Sequence, residues 1–187
     1  MAKGNIAKFF ESFSALEHLH LNGNSLKFFA TGEVPIRLPF YLNTVKSLKL
    51  SAIVFDELDE VSCTLCLIRS FPYLENLKIQ VFAYKENIPA VECLLVEGFS
   101  SVTFSCLREV KLKGDPATKP GMQFIKLLLA KSTALVRMLI KCRIEDDGDG
   151  DGGDDEVLHK TNPMITFINE FPRASPKAEI IVDITYC

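Results

Sequence analysis

The stretch SFPYLENLKI, Ser70 to Ile79, decides the fold because its pattern of hydrophobic residues recurs along the chain. The pattern is a hydrophobic residue, two variable residues, a second hydrophobic residue, one variable residue and a third hydrophobic residue, here Leu74, Leu77 and Ile79. The last two alternate with a polar residue, as in a β-strand with one buried face. We therefore predict a strand here, with Leu74 directed into the core ahead of it.

The same pattern occurs at LEHLHL (16–21), VKSLKL (45–50), VECLLV (91–96), LREVKL (107–112) and LVRMLI (135–140). Successive starts are separated by 29, 29, 17, 16 and 28 residues, and the longer values match the length of one leucine-rich repeat. One such unit cannot bury its apolar face alone, whereas stacked units share a core. The spacing predicts an α/β fold, an irregular leucine-rich-repeat solenoid with parallel strands on one face and helices or loops on the other.

The segments between the strands have helical patterns where they are long enough. Residues 56–71 begin with acidic side chains, which suit a helix N-terminus, and end before Pro72. Residues 120–132 open with Pro120 and place apolar residues along one helical face. We also predict a helix over 163–171 and a closing strand containing Ile180, Val182 and Ile184, but no full helix in the two short intervals.

Charge is distributed unevenly along the 187 residues. Residues 145–156, EDDGDGDGGDDE, carry eight acidic residues and no basic one, so the chain has a net charge of −3 with them and +5 without them. The Asp-Gly alternation resembles the start of a calcium loop, but Leu158 stands where the bidentate Glu belongs. The composition of residues 145–156 favours a disordered acidic insertion instead.

The cysteines predict free thiols. Six are irregularly spaced, and the N-terminus lacks a secretory signal, which together favour a reducing compartment. Cys63 and Cys66 have the spacing of half a zinc site or of a redox pair, but no second pair accompanies them. Core packing in a helix is the preferred interpretation, with a metal or redox role as the alternative. No apolar run is long enough for a transmembrane helix.

From Cys106 onward, CLREVKLKG, FIKLLLAKSTALVRMLI and FPRASPKAEI follow one another in an order that resembles the FBD region of plant F-box/FBD/LRR-repeat proteins. The upstream repeats are similar to the irregular leucine-rich repeats of that family. The expected organisation is irregular leucine-rich repeats over 1–105 and an FBD-like cap over 106–187 that contains the acidic insertion.

The resemblance implies a non-catalytic protein-binding module, the substrate-recognition part of an SCF-type E3 ubiquitin ligase receptor in the cytoplasm, the nucleus or both. In that family an N-terminal F-box docks the Skp adaptor and thereby the cullin. Here the repeats begin by Leu16 and the chain has no Trp, so the F-box is missing from the pattern, and adaptor docking is expected only if an F-box is supplied upstream. A truncated gene or an incomplete gene prediction would explain this, and a stand-alone decoy or scaffold without ligase association is the alternative. No nucleic acid, membrane or cofactor is expected.

The strand residues that alternate with the buried positions are the candidate binding surface. Candidate partner-binding residues are Lys49, Lys78, Lys111, Lys113, Arg137 and Lys141. We predict that Lys49, Lys78, Lys111 and Lys141 occupy equivalent positions and form a basic ladder, interrupted at Cys93, Leu95 and Glu97. This ladder would suit an acidic or phosphorylated segment of a protein target. The alternative is that the lysines only keep an exposed sheet soluble.

Overall fold

The computed structural model describes residues 5–55, 57–82, 102–114, 118–144 and 164–186. This part of the chain contains six β-strands, β1 to β6: His18–Asn22, Ser47–Val54, Asn76–Phe82, Glu109–Gly114, Arg137–Ile144 and Glu179–Tyr186. It contains five helices, α1 to α5: Ile6–Phe10, Gly23–Ala30, Leu58–Ser70, Lys119–Lys131 and a short helix over 164–170. The acidic run 145–156 and the predicted strand 91–96 lie outside the described residues.

All six strands form one parallel sheet whose spatial order is the order of the sequence, β1 to β6. Equivalent hydrophobic residues of the repeated pattern therefore face each other across neighbouring strands. Leu48, Leu77 and Val110 form one such row, and each is fully buried. The alternation read from the opening stretch is confirmed, because Leu77 and Ile79 are buried while Lys78 between them is exposed.

A turn with the same hydrogen bond precedes five of the strands. In the opening stretch, the Leu74 N–H donates to the Phe71 carbonyl, which turns the buried Leu74 side chain into the core. Equivalent bonds join residues 45 to 42, 107 to 104, 135 to 132 and 178 to 175. Just after the turn, the N–H groups of Glu75 and Asn76 both donate to the carbonyl of Lys46, the residue before β2. The repeat of the sequence is thus a repeat of backbone hydrogen bonds.

The helices cover one side of the sheet. α3 and α4 confirm the helices predicted over 56–71 and 120–132, and both bury most of their apolar residues in the core. α5 and β6 lie where the last helix and the closing strand were predicted. α1 and α2 were not predicted. α2 begins with Gly23 and is stabilised by its cap, because the Asn22 side chain accepts a hydrogen bond from the Ser25 N–H at 2.9 Å.

β3 pairs directly with β4, with Leu77 opposite Val110 and Lys78 opposite Lys111. The predicted interruption of the ladder at Cys93, Leu95 and Glu97 is therefore wrong, since no other strand separates these two. The hydrophobic pattern at 91–96 has the same spacing as that of the described strands, and pattern alone does not specify which segment pairs with which.

A β-bulge in β2 is the main irregularity of the sheet. The register shifts between Leu50 and Ile53, and Ala52 in the bulge has a positive φ of 56°. Gly23 lies against this bulge so closely that a Cβ atom would be 2.3 Å from the Ala52 carbonyl oxygen. The buried carboxylate of Glu60, on α3, accepts a hydrogen bond from the Val54 N–H at 2.9 Å. The bulge is thus stabilised from the helix side.

Candidate functional site: the open face of the sheet

The side of the sheet away from the helices, here called the open face, carries side chains in rows that cross the strands. The first row consists of His18, Ser47, Asn76, Glu109, Arg137 and Glu179. The second row consists of His20, Lys49, Lys78, Lys111, Leu139 and Ile181. A third row, over β3 to β6, consists of Gln80, Lys113, Lys141 and Asp183. All of these residues are partly or fully exposed, so the open face is accessible along its length among the described residues.

The second row contains three lysines on consecutive strands, Lys49, Lys78 and Lys111, here called the lysine row. All three are exposed, and within the described part of the chain none makes an ion pair. Neighbouring strands are about 4.8 Å apart, so the backbone positions of the row span about 10 Å. Lys113 lies next to the row on β4, two residues after Lys111, and makes no ion pair among the described residues either.

The predicted position of Lys141 is wrong. The residue opposite Lys111 on β5 is Leu139, whereas Lys141 lies opposite Lys113, in the third row. Strand side chains on one face recur every two residues, so a shift of two residues keeps a side chain on the same face but moves it to the next row. Lys141 is thus on the open face, as expected, but is not part of the lysine row.

Two of the candidate binding residues are already paired with β6. The Arg137 Nε lies 3.2 Å from Oε2 of Glu179, and the Lys141 Nζ lies 2.9 Å from Oδ2 of Asp183. All four side chains are about half exposed. These pairs neutralise the charges of Arg137 and Lys141. The alternation that places Ile180 and Val182 on the core side of β6 also puts Glu179 and Asp183 on the open face, so the sequence marks both carboxylates as exposed, whereas their pairing with Arg137 and Lys141 follows from the register of β5 and β6.

The charge of the open face therefore changes across the sheet. On β1, His20 uses its Nε2 to hydrogen-bond the Ser51 hydroxyl at 3.0 Å. The lysines without an ion pair among the described residues lie on β2 to β4, whereas Arg137 and Lys141 of β5 are matched by carboxylates of β6. Of the six candidate residues, Lys49, Lys78, Lys111 and Lys113 lie together as one basic patch, and Arg137 and Lys141 lie beside it in neutral pairs.

Cys63 and Cys66 are both buried inside α3, with no exposed surface. Burial, together with the nearby Cys66, Asp59 and Glu60, raises the pKa of the Cys63 thiol to about 12. Burial also raises the pKa of Cys66 to about 11, although a hydrogen bond from Ser70 and the charge of Arg69 act in the opposite direction. A redox-active pair needs a readily formed thiolate. The surroundings of both thiols thus fit core packing and oppose a redox role.

The chain is similar to the "F-box/FBD/LRR-repeat protein At1g13570" of Arabidopsis thaliana, with 25% identity over 180 residues. The aligned region is 95% of this chain but only 40% of that protein, so the chain spans less than half of its relative's length. No protein-family model matches the sequence. No solved structure matches it either. Among the described residues, no helix is both long and apolar enough to span a membrane.

Proposed function

We propose that this chain is a protein-binding module that uses the open face of its sheet to hold a target protein. The observation that carries the proposal is the asymmetry of the sheet: helices bury one side, and the other presents rows of exposed polar side chains across six strands. Binding surfaces need accessible, specific side chains on a rigid framework, and a sheet paired along its whole width provides that framework.

The proposal extends to the class of protein. The uninterrupted parallel order, the repeating turn before β2 to β6 and the similarity to an F-box/FBD/LRR-repeat protein support a leucine-rich-repeat solenoid with an FBD-like cap. In such a protein the target is held by the repeats. We therefore infer that the chain is the substrate-recognition part of an SCF-type ubiquitin ligase receptor.

The binding face is tested by blocking it without changing its charge. Replacing Asn76 and Gln80, which lie on the central strand β3, by Trp covers the middle of the open face. The matched control replaces Lys119 and Glu170, exposed residues of α4 and α5, by Trp. The wild-type chain has no Trp, so fluorescence of the new residues also reports whether each variant folds.

Each purified chain is used as bait in plant cell extract, and bound proteins are quantified by mass spectrometry. Proteins that bind the wild type and the helix-side control but are lost from the face-blocked variant are the expected result. Equal recovery by both variants would show that the open face is not the binding surface.

The ligase role is tested in the same samples by quantifying the Skp adaptor and the cullin. For the chain joined to an upstream F-box, near-equal amounts of adaptor and bait are expected. If the joined protein binds targets but recovers no adaptor, the receptor role is wrong and the protein-binding role stands.

A further inference from the structure

The positions of the unpaired lysines point to a particular chemistry of the target. Like charges on facing residues of neighbouring strands repel each other, so three facing lysines reduce the stability of the sheet. On β5 and β6 the same fold places carboxylates next to basic groups, so it can accommodate matched charges. The lysine row lacks such a match among the described residues.

Protection against edge-to-edge aggregation does not explain the row. Lysines protect a sheet best on its edge strands, where backbone groups are unpaired. Here the edges of the described sheet are β1 and β6, and neither has a lysine on the open face. The unpaired lysines lie on β2, β3 and β4, which are paired on both sides.

We propose that the lysine row, together with Lys113, binds a Glu- and Asp-rich extended segment of the target protein that crosses β2, β3 and β4. This inference rests on the proposed function. In an extended segment, every second side chain points to the same side, with a spacing of about 7 Å. Flexible lysine side chains on a row about 10 Å long can each reach one of these carboxylates.

The arrangement fits a run of carboxylates better than a single phosphate group. A phosphate is compact and is bound best by converging donors, with arginine giving two parallel hydrogen bonds. The row holds one lysine per strand, and Arg137, which lies beside it on the open face, is already paired with Glu179. Separate positive charges in a line match separate negative charges in a line.

The ion pairs of β6 set the boundary of the patch. Lys141 lies directly opposite Lys113, and only its pair with Asp183 keeps its charge from adding to the four free lysines. Releasing Lys141 should therefore extend the patch by one strand, which allows a test by gain of binding as well as by loss.

The test measures binding of fluorescein-labelled octaglutamate by fluorescence anisotropy at low salt. The row variant K49Q/K78Q/K111Q is compared with the control K8Q/K119Q/K177Q, which removes three exposed lysines outside the sheet and has the same net charge. An exposed ion pair contributes roughly a threefold change in affinity, so the row variant should bind about thirtyfold more weakly, and the control should bind like wild type. The variant D183N should bind about threefold more tightly.

Three companion probes distinguish other sources of negative charge: a neutral peptide with one phosphoserine, an octamer of deoxythymidylate and phosphatidylserine vesicles. Weaker binding of all three than of octaglutamate is expected. Tighter binding of any of them, or equal affinity of the row and control variants for octaglutamate, would overturn the acidic-segment inference. Loss of captured proteins from the face-blocked variant would still support the proposed function in that case.

Discussion

Glu60 is the residue that connects the helix layer to the irregular part of the sheet. Its carboxylate is 1% exposed, with Oε2 accepting the hydrogen bond of Val54 and Oε1 lying 3.3 Å from the Lys27 Nζ. Among the residues that the structure describes, Oε1 has no well-aligned hydrogen-bond donor, and Lys27 stabilises it through charge. A buried carboxylate with so few partners is sensitive to the loss of either one.

We expect Glu60→Ala to lower the free energy of unfolding by about 2 kcal/mol, because the buried Val54 N–H then has no acceptor. Lys27→Ala should cost less, about 1 kcal/mol, since Lys27 is half exposed and water partly replaces it. Urea denaturation followed by circular dichroism measures both. A larger loss from Lys27→Ala than from Glu60→Ala would contradict this account of the bulge.

The two buried thiols predict a pH dependence of stability. Their pKa values in the folded chain are about 12 for Cys63 and about 11 for Cys66, against an ordinary value of 9.0. Between pH 9 and pH 11 the unfolded chain therefore releases thiol protons that the folded chain retains, so unfolding becomes easier as the pH rises. At pH 10 the loss should be about 1 kcal/mol for each thiol.

The measurement is urea denaturation at pH 8 and pH 10 for the wild type and for the variant C63A/C66A. The variant starts from a lower stability because it loses buried side chains, so the change between the two pH values is the quantity to compare. That change should be smaller in the variant by about 2 kcal/mol. An equal change in both proteins would mean that the thiols ionise as easily in the folded chain as in the unfolded chain.

At the scale of single elements, the positions of the strands were easier to predict than the register in which neighbouring strands pair. The two-residue period separates Leu77 and Ile79 from Lys78 whatever the partner strand is, because alternation is a local property. Register depends on contacts between distant segments, and it was here that the placement of Lys141 and the interruption at 91–96 were wrong.

The helices also differ in how far a local sequence pattern predicts them. α3 and α4 have long apolar faces and clear ends, so the sequence specifies them. α2 is only eight residues long and contains Gly23, Asn24 and Ser25, which are weak helix formers. It is stabilised by the Asn22 cap and by packing against α3, and these are contacts that helical periodicity does not report.

The register of β3 is tested by a pair of neighbouring substitutions. Leu77→Asp places a charge where the side chain is fully buried and should cost about 3 kcal/mol or more. Lys78→Asp lies on the open face and should change the free energy of unfolding by less than about 0.5 kcal/mol. Chemical denaturation of both variants gives the comparison. An equal loss of unfolding free energy in the two variants would mean that the register of β3 is shifted by one residue.

At the scale of the whole molecule, the net charge of the chain does not indicate the basic patch on which the inference about the target depends. The overall charge is −3, yet the open face of β2 to β4 is basic. The composition of the sequence indicated a basic body, and the strand pattern indicated which lysines are exposed. Which basic groups are neutralised depended on the pairing of β5 with β6, and this became clear only from the fold.

The acidic run 145–156 stays a prediction, since it lies outside the described residues. The ligase role stays a proposal, which rests on the similarity to a protein of which the aligned region covers 40%. For this chain by itself, we propose that the open face binds a protein.

That claim is tested most directly by a photo-crosslinking amino acid placed either at Gln80, on the open face, or at Glu170, on the helix side. Each purified protein is irradiated in plant cell extract, and crosslinked proteins are identified by mass spectrometry. We expect the same specific partners in repeated Gln80 samples and their absence from Glu170 samples. Partners crosslinked from Glu170 and absent from Gln80 would contradict it.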